Sequence, residues 1–133
     1  MKHLLDTNVF GDFVRDHAGV RKRLRGSAIG DVAISAITEF EVEYGLQRAA
    51  GLSVVIERAM RDLLQAIAVL HFEREDARFA AVVRNQLAAA GTPIGPYDLL
   101  LAATALRRGL VFVTHNTREF ERVPGLNLED WRA

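Results

Sequence analysis

Four short apolar runs, at residues 2–5, 32–35, 68–71 and 110–113, alternate with longer stretches in which apolar residues recur every third or fourth position. Strands lacking polar alternation are buried on both faces, and strands joined by helices run parallel. The pattern therefore predicts an α/β fold: a single α/β/α domain over residues 1–133, with a central, mostly parallel sheet of four to five strands. Residues 127–128 supply the fifth strand. A chain of 133 residues is long enough to bury about two-thirds of its unfolded surface in one domain.

Capping residues set the expected helix limits. The first helix starts at about residue 9 with Asn8 as its N-cap. The second runs from 36 to about 50, with Gly51 as its C′ residue. Ser53 caps a third, in which Ile56, Met60, Leu63 and Ile67 form one stripe, a face suited to a partner helix. A fourth covers 73–90 and ends at Gly91. The loop Thr92-Pro93-Ile94-Gly95 leads to a fifth, with Pro96 at its first position, that runs to Arg108 and is stopped by Gly109.

Three acids occupy places that this pattern reserves for apolar or neutral residues. Asp6 closes the run His3-Leu4-Leu5, Glu41 interrupts the apolar side of a helix, and Asp98 opens the stretch Leu99-Leu100-Leu101-Ala102-Ala103. An ionised carboxylate removed from water costs several kcal/mol or more unless a cation accompanies it. Apart from Lys2 on the strand of Asp6, none has a Lys or Arg within four residues on its own element, so a bound metal is the better account. All-oxygen donors suit magnesium or manganese rather than zinc. Each acid also has a structural reading. Asp98 sits in a first helical turn, where capping and the helix dipole favour it, and Glu41 can be satisfied by Thr38 or a remote arginine. Asp6, at the inner end of a buried strand, has no capping job. Glu39 and Glu43 point away from Glu41 and read as solvated.

Parallel sheets collect ligands at the carboxyl ends of their strands. Asp6 lies at one such end, the turn Thr114-His115-Asn116 at another, and the segment reaching Glu41 follows a third. Acids converging there would support metal-assisted phosphodiester hydrolysis, in which the ion lowers the pKa of a water and stabilises the leaving oxygen.

Little competes. There is no cysteine, so thiolate sites and disulfides are excluded. The histidines at 3, 17, 71 and 115 lack the i, i+4 spacing of zinc ligands, and no Gly-rich phosphate loop precedes a helix. Receiver domains and haloacid-dehalogenase-like phosphatases need an active-site lysine. The two lysines here, Lys2 and Lys22, are not at a later strand end. No apolar run approaches the roughly 20 residues of a membrane span and no signal-peptide core precedes Asp6, so a cytoplasmic protein without a membrane partner is expected. The seventeen basic and seventeen acidic residues cancel. With three acids turned inward, fourteen remain to face the solvent. Arg21, Lys22, Arg23 and Arg25 bunch together and Arg107-Arg108 form a pair; each reads either as a solvated helix face or as a nucleic-acid contact.

The segments Leu4-Leu5-Asp6-Thr7-Asn8, Ser35-Ala36-Ile37-Thr38 with Glu41, Tyr44 and Gly45, Pro93-Ile94-Gly95-Pro96-Tyr97-Asp98, and Val113-Thr114-His115-Asn116-Thr117-Arg118-Glu119-Phe120 together resemble PIN-domain ribonucleases of the VapC toxin type. The resemblance extends to Val123-Pro124-Gly125-Leu126 and Glu129-Asp130-Trp131, covering almost the whole chain. It implies a PIN-like α/β/α domain, cleavage of RNA dependent on Mg2+ or Mn2+, and a cognate VapB-type antitoxin. A homodimer and a toxin–antitoxin hetero-oligomer are also implied. Carried over by position, Asp6 and Asp98 are the principal metal ligands, Glu41 is the third acid, and Thr7, Thr114 and Asn116 line the pocket. Asn116 stands where many PIN domains have Asp. Glu119, three residues on, is open to two readings: a replacement for that charge, or the start of a helix. The Gly-Pro-Tyr-Asp form resembles a subgroup that cleaves transfer RNA, in particular the initiator. The competing reading is a non-catalytic PIN-like binding or scaffold module, whose mark would be loss of the acids.

Overall fold

Successive strand residues face opposite sides of a sheet, and here both sides are apolar. The computed structural model describes residues 1–15, 17–48 and 51–132. Its five strands, β1 (His3–Leu5), β2 (Val32–Ser35), β3 (Ala68–Leu70), β4 (Val111–Val113) and β5 (Leu128–Glu129), form one sheet in the order β3-β2-β1-β4-β5. Every pairing is parallel. In the register, Leu4 stands opposite both Ala33 and Phe112.

Those three residues belong to a core cluster with Val83 and Leu87 of α5 (Arg74–Ala89) and Leu101, Ala102 and Ala105 of α6 (Pro96–Arg108). Leu5, Ile34 and Val113 belong to a second cluster. It includes Val9, Phe10 and Val14 of α1 (Thr7–Val14), Val20 of α2 (Ala18–Arg25), Val42 of α3 (Ala36–Arg48) and Met60 of α4 (Val54–Ala66). The expected three-layer α/β architecture is therefore present. Among the described residues no helix is long and apolar enough to cross a membrane.

Several local expectations hold. The Ser53 hydroxyl accepts from the Val55 amide at 3.2 Å, Pro96 opens α6, and Gly109 ends it in the left-handed region at φ 65°. Others need correction. The first helix begins at Thr7, and its N-cap is Asp6 rather than Asn8: Asp6 Oδ1 accepts from the Thr7 amide at 2.7 Å. The chain passes from strand to helix without a loop, so the residue ending β1 takes the cap. Helix α2 was not anticipated. The fifth strand lies one residue later than expected, and the predicted helix end near residue 50 falls outside the described residues. The stripe on α4 is partly core: Met60 is buried in the second cluster, and Ile56, Leu63 and Ile67 pack against it half-buried.

The Arg107-Arg108 pair is likewise committed inside the protein. Asp76 is fully buried, receives Arg107 Nε at 2.6 Å and Arg108 Nη2 at 3.1 Å, and accepts from the Glu73 amide at 2.8 Å. Arg108 also donates to the His71 carbonyl at 2.8 Å. Burial pushes the Asp76 carboxyl upward, but the two guanidiniums and the amide outweigh it, holding the group below its ordinary value. This clamp ties α5 to the last turn of the helix whose first turn carries Asp98. Asp76→Ala would leave two cations without their buried partner and should cost about 3–5 kcal/mol near neutral pH. A depressed pKa stabilises only above the unfolded value of 3.8, and the contribution disappears as pH falls through the folded one. Urea unfolding of the two proteins should therefore converge in acid; an equal gap at all pH values would show the loss to be one of packing.

Candidate active site at the sheet switch point

From β1 the chain builds outward to β2 and β3, then crosses to the other side of β1 to lay down β4 and β5. The reversal opens a crevice beyond the carboxyl ends of β1 and β4, the usual ligand site in such sheets. Asp6 follows β1 and Thr114 follows β4, and the Asp6 amide donates to the Val113 carbonyl at 2.9 Å. The Thr114 hydroxyl donates to Asp6 Oδ2 at 2.9 Å and accepts from the Asn116 amide at 3.0 Å. Asp6 is thus a buried N-cap and a site carboxylate at once, against the expectation that it had no capping role.

Glu41 reaches the same crevice from α3. The Thr7 hydroxyl donates to its Oε1 at 2.8 Å, and Thr7 Oγ1 lies 3.1 Å from the hydroxyl of fully buried Thr38. Thr38 therefore supports Glu41 through Thr7. Of the neighbouring acids, Glu43 stays at the solvated surface, where it pairs with Arg61 at 3.0 Å.

Asp98 enters from the first turn of α6. Its side chain does not cap that helix: the N-cap is Gly95, with no side-chain cap bond. A Cβ at Gly95 would lie 3.1 Å from Asp98 Oδ2, so the glycine leaves space for the carboxylate. Glu119, on α7 (Thr117–Phe120), completes the group. It accepts from the Gly95 amide at 3.2 Å and from the Asn116 side-chain amide, and its charge bears on Asp98.

The electrostatics follow from four acids in partial burial. Burial raises the Asp6 carboxyl; the Thr114 hydroxyl and Thr7 amide oppose the shift, while Glu41 and Glu119 add to it. Asp98 is pushed up to about 7, first by burial, then by the charges of Glu119 and Asp6, the hydrogen bond with Glu119, and the charge of Glu41. Near neutrality Asp98 is therefore partly protonated. Among the described residues no three of these side chains already surround one point as a finished ligand shell. The donors are nonetheless all carboxylate oxygens, and a divalent cation would relieve the repulsion that the proton now relieves. The set fits a hard cation.

The structure thus brings together Asp6, Glu41 and Asp98, as expected from the sequence, and adds Glu119, which that reading left open. The signal for Glu119 was its place one helical turn beyond the strand-end turn. Asn116 lies at the exposed rim with its amide on Glu119.

Comparison with known proteins identifies the family. The chain belongs to the PIN-domain family, whose model matches residues 3–126. It is 38% identical over 135 residues to the tRNA(fMet)-specific endonuclease VapC of Shigella flexneri, with 98% of each chain covered. It is 31% identical, again with 98% of each covered, to the ribonuclease VapC2 of Haemophilus influenzae. A crystal structure of DNA-bound VapBC from Salmonella typhimurium matches with a TM-score of 0.87 and 36% identity over 98% of both chains.

The raised Asp98 pKa makes stability depend on pH. Because its folded value of about 7 exceeds the unfolded 3.8, the native state binds the extra proton between them. Stability contributed by this group is therefore lost as pH rises through that window. In chelator, Asp98→Asn should raise Tm by roughly 3–6 °C above the window and give no gain below it. A gain independent of pH would contradict the carboxylate cluster.

Proposed function

We propose that this protein is a divalent-metal-dependent endoribonuclease of the toxin type, held inactive by a cognate antitoxin. The observation that carries the reading is the group Asp6, Glu41, Asp98 and Glu119, which shares one crevice with Asp98 pushed up to about 7. A non-catalytic scaffold has no use for four repelling acids.

Asp6 and Asp98 are the principal ligands of Mg2+ or Mn2+, with Glu41 and Glu119 as the further acids and Asn116 orienting Glu119. Bound there, the ion supplies a more acidic water and offsets charge on the leaving oxygen of a phosphodiester. The protein's own groups hold the rest in place. Thr114 and the Thr7 amide fix Asp6, Thr7 fixes Glu41, and the Gly95 amide and Asn116 fix Glu119. A cation bound there would favour the ionised form of Asp98, and a carboxylate of the group left off the ion would be placed to accept a proton from an attacking water.

The substrate is RNA, specifically initiator transfer RNA, the target named for the Shigella flexneri relative. The partner is a VapB-type antitoxin, in line with the VapBC complex that the fold matches. The toxin acts as a homodimer, free in the cytoplasm or bound to antitoxin in a hetero-oligomer. Co-expression with the neighbouring antitoxin gene should relieve the growth arrest that the toxin causes alone; failure to bind and rescue would remove that assignment.

Cleavage of a transfer RNA pool under a manganese titration tests the site. Asp6→Asn and Asp98→Asn should each reduce the rate roughly 100-fold or more, the scale expected on losing a central electrostatic group. Glu119→Gln should be comparably damaged if four acids act together. Asn116→Ala, which frees Glu119, should raise the manganese requirement about tenfold with little effect at saturation. Activity that survives chelation would overturn the metal mechanism, and a fully active Glu119→Gln would remove the fourth acid.

A further inference from the structure

The turn after β4 carries a histidine between two residues that touch the acids. Thr114 donates to Asp6 and the Asn116 side-chain amide donates to Glu119, so His115 stands one residue from each contact. Its side chain lines a cleft of about 420 Å³ together with Asn116 and with Thr7, whose hydroxyl is on Glu41. The cleft is therefore continuous with the acids, which any active assembly of the enzyme leaves open to substrate. Among the described residues its walls carry three side chains able to bear positive charge, Arg15, His115 and Arg132. Arg132 is already held by Asp12 at 2.6 and 2.7 Å.

His115 is exposed, yet its ring is oriented. Nδ1 lies 3.3 Å from Asp130 Oδ2, and an ionised carboxylate only accepts, so the proton of that contact belongs to Nδ1. Asp130 is itself fixed. Its Oδ1 accepts from the Arg132 amide at 2.9 Å, the preceding Glu129 carbonyl accepts from the Thr114 amide at 2.9 Å, and the residue that follows is buried Trp131. An isolated surface ion pair holds two long side chains loosely, whereas this one joins two segments that are each anchored to the core. With Nδ1 engaged by Asp130, Nε2 is the nitrogen left to meet a ligand.

We propose that His115 is a substrate-contacting residue which, as the imidazolium, donates from Nε2 to a phosphate oxygen of the RNA bound at the acids, with Asp130 as the positioning residue that sets the ring. The inference rests on the ribonuclease reading and adds to it a cation from the protein itself, which the four acids lack. A polyanion that brings one phosphate up to four carboxylates meets repulsion there, and a donor beside the cluster offsets part of it. Negative charge at both ring nitrogens, Asp130 on one and phosphate on the other, suits a ring that donates from both.

The test uses the full-length protein and fluorescein-labelled initiator transfer RNA. Binding is read by anisotropy in chelator across a salt series, and cleavage by KM and kcat in manganese. His115→Gln keeps a polar side chain without the charge; His115→Lys keeps the charge. His115→Gln should weaken binding and raise KM about tenfold, the worth of one charged hydrogen bond, with a smaller effect on kcat. It should also lower the slope of log Kd against log salt by roughly 0.7–0.9, one phosphate contact, and His115→Lys should recover that slope. Asp130→Ala should weaken binding by itself and add nothing in the His115→Gln background, as coupled residues do. Circular dichroism should show each variant folded. Unchanged binding and slope in His115→Gln, whatever its stability, would make the pair an architectural tie and overturn the proposal while leaving the ribonuclease reading intact. So would a variant that binds RNA normally but loses its antitoxin, since the donor would then face a protein carboxylate. His115-dependent RNA binding by a wild-type protein that cleaves nothing would support the contact and sink the ribonuclease reading; a wild type that neither binds nor cleaves would sink both.

Discussion

Carboxylates that share a crevice with little water repel one another, and the fold meets that repulsion with neutral donors. Asp6 is held by the Thr7 amide and the Thr114 hydroxyl, Glu41 by the Thr7 hydroxyl, and Glu119 by the Gly95 amide and the Asn116 side chain. Neutral donors satisfy oxygen lone pairs without cancelling their charge. Among the described residues no Lys, Arg or His forms an ion pair with any of the four acids, so the field of the cluster remains for an added cation. Asp76 is the internal contrast. It is as buried as any residue in the site, yet two arginines hold its pKa down where Asp98 is pushed up. One residue type thus serves architecture or chemistry according to whether the protein supplies its own counter-charge.

Topology makes the cluster possible. β1 lies in the middle of the sheet with β2 on one side and β4 on the other, and the chain reaches β4 only after α5 and α6 have been laid on one face. Asp6 and Asp98 therefore come from distant parts of the sequence to one strand end. The local fit rests on small residues. Gly95 has an ordinary φ of −57°, so its lack of a side chain matters for space and not for backbone freedom. The Asp98 carboxylate occupies the volume that a Cβ would crowd.

What could be read from the sequence was whatever depends on neighbours along the chain. The strands were legible because burial on both faces leaves no polar alternation, and Pro96, Ser53 and Gly109 set helix limits through their own backbone chemistry. Asp6, Glu41 and Asp98 stood out because their charge contradicted their apolar surroundings. Illegible features depended on distant partners or on the absence of a loop. The cap moved to Asp6 because β1 joins α1 directly. Arg107 and Arg108 looked like a surface patch because Asp76, which binds them, lies 31 and 32 residues away. The α4 stripe had the correct periodicity, but periodicity identifies an apolar face without saying what covers it.

The turn after β4 shows how a charge can move along a sequence without leaving a site. Position 116 carries an amide where an acid would be expected from the family resemblance, and in the proposed site Glu119 supplies the negative charge from one helical turn further on. The longer side chain reaches back toward Asp98. A four-residue helix such as α7 fixes a side chain weakly by itself, because most helical order comes from length and packing. Phe120, buried at 1% exposure and set edge-on to Phe112 at 4.7 Å, anchors that turn to the core. Asn116 and the Gly95 amide then aim Glu119 from two sides. The proposed fourth acid thus owes its position in part to the amide at 116.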